Sequence, residues 1–86
     1  YYTDVTTADT ELGGIYDLVR KRFDAKNTLF LYTSDHGAQW PFSKWNLYDA
    51  GIRVPFIAVW PGVVKPGARS DAMIQWTDLL PTLIEA

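Results

Sequence analysis

Cysteine is absent from the 86 residues, methionine and histidine occur once each, and there is no excess of basic side chains: eight Lys and Arg stand against ten Asp and Glu. Without cysteine the chain has neither a disulfide framework nor a thiolate metal site. A net charge of −2 leaves no cationic surplus to neutralise a phosphate backbone, which excludes general nucleic-acid binding. No run reaches the ~18 apolar residues of a membrane span, and no basic stretch followed by an apolar core reads as a signal peptide. Internal repeats and low-complexity tracts are also missing. What is present is bulky: 48% of the residues are hydrophobic and 15% aromatic, a composition that folds rather than stays disordered. A chain this short buries only about 60–65% of its unfolded surface and lacks the usual compensation of a disulfide or a thiolate metal site. It opens on Tyr1 and closes on Ala86 inside what reads as a helix, so the expectation is an internal segment of a longer protein.

Between Thr3 and Phe23, Val5, Ala8, Leu12, Ile15, Leu18 and Val19 recur at three- and four-residue spacing, which predicts an amphipathic helix with Asp9, Glu11, Asp17 and Arg20 on the opposite face. Gly13 and Gly14 weaken that helix by about 1–2 kcal/mol and are expected to mark close packing or a bend. Asp24–Asn27 reads as a polar connection. Thr28–Thr33 and Val54–Trp60 are apolar without clean alternation, as suits strands buried on both faces of a covered sheet. Pro55 is tolerable near the start of the second strand. Pro61-Gly62 and Lys65-Pro66-Gly67 are turn signals. Ala72–Trp76 suggests a short strand, followed by a helix capped by Thr77 or Asp78 with Pro81 in its first turn.

Ser34-Asp35-His36-Gly37 follows the first strand at its C-terminal end, where ligand groups collect in open α/β sheets. A carboxylate and an imidazole there are good metal ligands, and Gly37 allows the turn that would aim both at one site. The plainer alternative is that Asp35 caps the next segment and His36 is a polar loop residue. Lys44 lies among Trp40, Phe42 and Trp45, where its ammonium can sit over a ring, bind an anion such as sulfate or phosphate, or remain solvated. In Tyr48–Pro55, Asp49 and Arg53 suit an ion pair that braces the loop, with Gly51 permitting a tight backbone. The aromatic residues of the loop are read first as packing and second as a sugar-stacking surface.

Together, Leu-Tyr-Thr-Ser-Asp-His-Gly (31–37), Lys44 followed after three residues by Tyr48, Asp-Ala-Gly-Ile-Arg-Val-Pro (49–55), Trp-Pro-Gly (60–62) and Asp-Leu-Leu-Pro-Thr-Leu (78–83) resemble the sulfatase family of the alkaline-phosphatase-like superfamily. The wording of the loop is most similar to bacterial sulfatases related to heparan N-sulfatase. The resemblance implies an α/β fold with a mixed, mostly parallel sheet covered by helices on both faces, of which residues 1–86 would be the C-terminal part of a catalytic domain. It implies metal ligation by Asp35 and His36, sulfate contact by Lys44, and structural roles for Tyr48 and Arg53. It further implies one Ca2+ per active site, a formylglycine nucleophile, a sulfated carbohydrate or small molecule as substrate, and a periplasmic or extracellular location. His36 stands where many sulfatases have Asn, and imidazole suits zinc or manganese better than calcium. Phosphodiesterases and phosphomutases of the same superfamily use Asp-His-Gly in a two-metal site and form the alternative reading. A non-catalytic carbohydrate-binding module using Trp40, Trp45 and Trp60 is the third. No Cys-x-Pro-Ser-Arg or Ser-x-Pro-Ser-Arg nucleophile motif is present, so the chain alone holds no complete active site.

Overall fold

The 21-residue helix α1 spans Tyr2–Arg22, as the apolar spacing requires. Its threonines do not break it, because Thr6, Thr7 and Thr10 donate their hydroxyls back to the carbonyls of Tyr2, Thr3 and Thr6 at 2.9–3.0 Å. Asp4 in the first turn and Arg20, Lys21 and Arg22 in the last oppose the helix dipole favourably. The computed structural model describes all 86 residues. After α1 comes a single 3-10 turn, Ala25–Asn27, whose preceding Asp24 accepts from Lys26 N at 3.0 Å. Then follow strand β1 (Phe30–Thr33), the short helix α2 (Asp49–Ile52), strand β2 (Phe56–Val59) and helix α3 (Trp76–Glu85).

The two strands pair antiparallel in the register Phe30↔Val59, Leu31↔Ala58, Tyr32↔Ile57 and Thr33↔Phe56. This places the exit of β1 beside the entrance of β2, so residues 34–55 form one excursion that leaves and re-enters the sheet at the same end. The expected mostly parallel sheet is not what this pair displays: its one pairing is antiparallel, and each strand is bonded along a single edge. α1 meets the sheet through Tyr16, whose ring packs edge-on against Phe30 with centroids 5.1 Å apart. Arg20 lies over the outer face of Tyr16, 5.6 Å from its centroid. Trp60 ties the end of β2 to the 3-10 turn by donating its indole N–H to Lys26 O at 3.1 Å.

Several expectations are corrected here. No hydrophobic residue is buried; Ser43 and Gly51 are the buried residues of the chain. β1 is half-buried throughout, and Phe56 and Ile57 of β2 are exposed, because no second layer of this chain lies over the sheet. Nothing lies within 4 Å of a Cβ built on Gly13 or Gly14, so these glycines seat no close neighbour from this chain. Residues 72–75 form no strand, and Trp76 opens α3. The cap is Gln75, two residues before Thr77, while Asp78 occupies the third helical position and accepts from Gln75 N at 2.7 Å. Pro81 consequently falls in the second turn and denies the Thr77 carbonyl its usual helical donor. The two turn signals hold, with Gly62 at φ 89° and Gly67 at φ 72°, and Ala68 N donating to Lys65 O at 3.2 Å.

α3 leaves Trp76, Leu80, Leu83 and Ile84 exposed, and α1 does the same with Val5, Ile15 and Leu18. Because burial of such side chains supplies most folding free energy, residues 1–86 prepared on their own are expected to show no cooperative thermal transition by circular dichroism. A single sharp unfolding transition would contradict this account.

Candidate functional site

The excursion between the strands carries Asp35, His36, Lys44, Tyr48 and Arg53, and its shape is set by two consecutive carbonyls of α2. Gly51 O accepts from Gly37 N at 3.0 Å, and Ala50 O accepts from the Ser43 hydroxyl at 2.7 Å. The approach is possible only without side chains: a Cβ on Gly37 would overlap Ala50 O, and one on Gly51 would overlap the carbonyl oxygens of Asn46 and Ser43. Gly37 does not have a positive φ, so the reason for glycine here is close backbone approach rather than the turn conformation expected from the sequence.

Upstream of this crossing, Asp35 and His36 form a local arrangement. The Ser34 hydroxyl donates to His36 O at 3.0 Å, and His36 N donates to Asp35 Oδ1 at 3.0 Å. His36 Nδ1 lies 2.9 Å from Gly37 O, and since a carbonyl only accepts, Nδ1 carries the proton of that contact. Nε2 faces a second acceptor, Asp35 Oδ2, at 3.2 Å, and a neutral ring, with one N–H, can donate to only one of the two; with Nδ1 donating, Nε2 presents a lone pair. Two lone-pair atoms at that separation are complemented by a positive charge between or beside them, either a proton on the ring or a metal cation. One nitrogen and one oxygen do not complete a coordination sphere, and no group of three or more His, Cys, Asp or Glu forms in this chain.

Downstream, Lys44 is half-buried, with its ammonium 5.1 Å from the centroid of Trp45. Its backbone is held by Lys44 N donating to Ala38 O at 3.1 Å. The residues on either side of the Ser43-Lys44 pair, Phe42 and Trp45, are in the left-handed region at φ 61° and 66°. For non-glycine residues such conformations cost on the order of 1–3 kcal/mol each, and they persist where surrounding contacts over-determine them.

His36 and Lys44 line one open hollow of about 840 Å3, together with Ser34, Arg53 and, from α1, Asp9. Asp35 is not in the lining; it is exposed and reaches the hollow through His36. Asp9 was expected on the solvent face, yet it lies four residues after Val5 and three before Leu12, on the same helical stripe, and that spacing was the signal for it. Arg53 and Asp49 form the expected pair at 3.6 Å, but both are largely exposed, so the contact braces the loop only weakly. The loop aromatics do not gather into one platform: Trp40 packs on Tyr1, Phe42 on Tyr48, and Trp45 on Lys44. Ser43 is the residue that sequence reasoning missed.

A family model described as Sulfatase matches residues 1–86, the whole chain. The chain belongs to the sulfatase family. An ulvan-active sulfatase of Formosa agariphila is 41% identical over 85 residues, covering 99% of this chain and 16% of the relative. An arylsulfatase of Clostridium perfringens is 31% identical, with 99% and 19% covered. An N-acetylglucosamine-6-O-sulfatase of Bacteroides thetaiotaomicron is 30% identical, with 99% and 16% covered. The sulfatase chain described here thus spans less than a fifth of the length of these relatives. None of the three carries the heparan N-sulfatase name that the wording of the loop brought forward. No solved structure matches. Family membership implies an alkaline-phosphatase-like α/β fold, of which this chain contributes helices and one antiparallel strand pair.

The glycine crossing yields a direct test. In the full-length sulfatase, Gly37→Ala or Gly51→Ala is expected to lower stability by about 1–3 kcal/mol, the usual penalty of overpacking, read as a fall in the thermal midpoint. An unchanged midpoint in both variants would show that the backbones are not in contact.

Proposed function

We propose that residues 1–86 are the C-terminal part of a sulfatase catalytic domain that hydrolyses sulfate esters or sulfamates of a carbohydrate, supplying metal ligands and a sulfate-binding lysine. The observation that carries this reading is the convergence of His36 and Lys44 on one hollow, with Asp35 held against the imidazole. The names of two relatives, an ulvan-active and an N-acetylglucosamine-6-O-sulfatase, support a sulfated glycan as the substrate class.

In this reading Asp35 Oδ2 and His36 Nε2 are the atoms offered to a divalent cation, Ca2+ by family resemblance. With Nδ1 donating to the Gly37 carbonyl, Nε2 would present its lone pair to the cation beside Asp35 Oδ2. When bound, the cation polarises the sulfate group as a Lewis acid. Lys44 neutralises charge on the oxygens of the transferring group, and its stacking on Trp45 limits where the ammonium can go. Tyr48 packs its ring against Phe42, and Arg53 adds a weak brace through Asp49. The nucleophile, expected to be formylglycine, and the remaining metal ligands come from outside these residues.

Two measurements on the full-length protein test the proposal. Lys44→Ala is expected to lower sulfate-ester turnover by about 100- to 1,000-fold with the thermal midpoint unchanged; wild-type turnover would remove Lys44 from the site. Metal analysis is expected to find one divalent ion per active site, lost in both Asp35→Ala and His36→Ala. Two transition-metal ions per chain, with hydrolysis of phosphate rather than sulfate esters, would instead establish the phosphoesterase reading that the imidazole ligand favours.

A further inference from the structure

We propose that Ser43 is a positioning residue for Lys44, setting the lysine relative to His36 through α2; this deepens the sulfatase reading above and rests on it. Ser43 is the chain's buried polar side chain, 3% exposed in a molecule whose apolar residues are all at least partly open to solvent. A hydroxyl withdrawn from water while tryptophans remain exposed is not there for lack of alternatives, since burying a polar group stabilises only when its hydrogen bond is made. That bond is made, to Ala50 O at 2.7 Å.

The route from Ser43 to the two site residues is short. Ser43 is bonded directly to Lys44, and its hydroxyl binds the carbonyl immediately before the one that accepts from Gly37 N. Gly37 is bonded directly to His36. Two consecutive carbonyls of one helical turn therefore hold the lysine-bearing loop and the histidine-bearing segment, with no flexible side chain between them except the two-atom reach of serine. The fit around it is close on every side: a Cβ on Gly37 would come within 2.7 Å of Ser43 Oγ, and one on Gly51 would overlap Ser43 O.

The neighbouring backbone explains why such a clamp is needed. Phe42 and Trp45 sit in left-handed conformations that a free loop would leave, which would swing Lys44 away from the hollow. Ser43 N donates to Trp40 O at 3.1 Å and Ser43 O accepts from Asn46 N at 3.0 Å, so the residue also closes the turns on both sides of itself. Lys44 N also donates to Ala38 O, two residues after His36, but the hydroxyl is the side-chain bond that ties those turns to α2.

A double-mutant cycle in the full-length enzyme tests the assignment, with 4-nitrophenyl sulfate as substrate and inorganic sulfate as competing anion. Ser43→Ala is expected to lower kcat/KM by about 10- to 100-fold and to weaken inhibition by sulfate, because a misplaced lysine loses its contact with the anion. In a Lys44→Ala background the same change is expected to cost less than about twofold, since a residue that acts through Lys44 has nothing left to position. Ser43→Cys, which keeps the shape and a weak donor, is expected to recover part of the loss and replaces alanine in the cycle if Ser43→Ala does not fold. Equal losses from the Ser43 change in both backgrounds, or wild-type activity in Ser43→Ala, would overturn the positioning role while leaving Lys44 in place. Wild-type activity in Lys44→Ala would overturn the sulfate-binding reading itself, and the positioning role with it.

Discussion

The hydrogen bond from Gly37 N to Gly51 O joins two residues at which a side chain would collide, Gly37 with the Ala50 carbonyl and Gly51 with the Ser43 and Asn46 carbonyls, and the geometry of the excursion between β1 and β2 depends on this crossing. The antiparallel register brings Thr33 beside Phe56 but says nothing about how the intervening residues fold. The crossing supplies that information. It brings the segment after His36 onto α2, and Ser43 then fastens the lysine loop to the neighbouring carbonyl. Without an apolar core of its own, this part of the chain is organised by backbone polar groups meeting at short range, which is directional where hydrophobic packing is not.

That organisation suits a site for a charged group. His36 from one segment, Lys44 from another and Asp9 from α1 line the hollow, each carried on a different stretch of backbone. Lys44 is restrained by Trp45 and by a loop in an unfavourable conformation, and His36 by a carbonyl on one nitrogen. In the proposed role, such restraint would reduce what must be ordered on binding an anion, since preorganised charge is worth more than mobile charge.

Much of this was legible in the sequence. The three- and four-residue spacing in α1 and the apolar runs around Leu31 and Ile57 reported real elements, because periodicity and β-branched or aromatic content act locally. Of the residues that carried the family resemblance, 34–37, Lys44 and 49–55 lie in the excursion at one end of the sheet, whereas 60–62 follow β2 at the other end and 78–83 belong to α3. Asp78 was recognised as a capping residue but placed at the wrong position, since an acidic side chain serves a helix start equally well as the cap or three residues inside it. Ala72, Ile74 and Trp76 alternate as a strand would, yet a strand needs a partner edge and none is offered to them within this chain. Ser43 gave no signal at all: a serine before a lysine has no periodicity, and its burial follows from a crossing made by glycines several residues away on either side. Gly13 and Gly14 sent the opposite kind of message, a pattern with no counterpart among the contacts of these residues.

The single-edged pairing of the two strands carries a practical consequence. β1 and β2 each spend one row of amide groups on the other and hold a second row outward, beside exposed Phe56 and Ile57. A short ribbon with two open edges and an uncovered apolar face is a template onto which further strands add, whether in a larger sheet or in an aggregate. The same geometry that lets this strand pair extend a sheet therefore makes it a poor subject for expression alone, and a fusion or co-expression that supplies flanking strands is the form in which its loop chemistry can be studied.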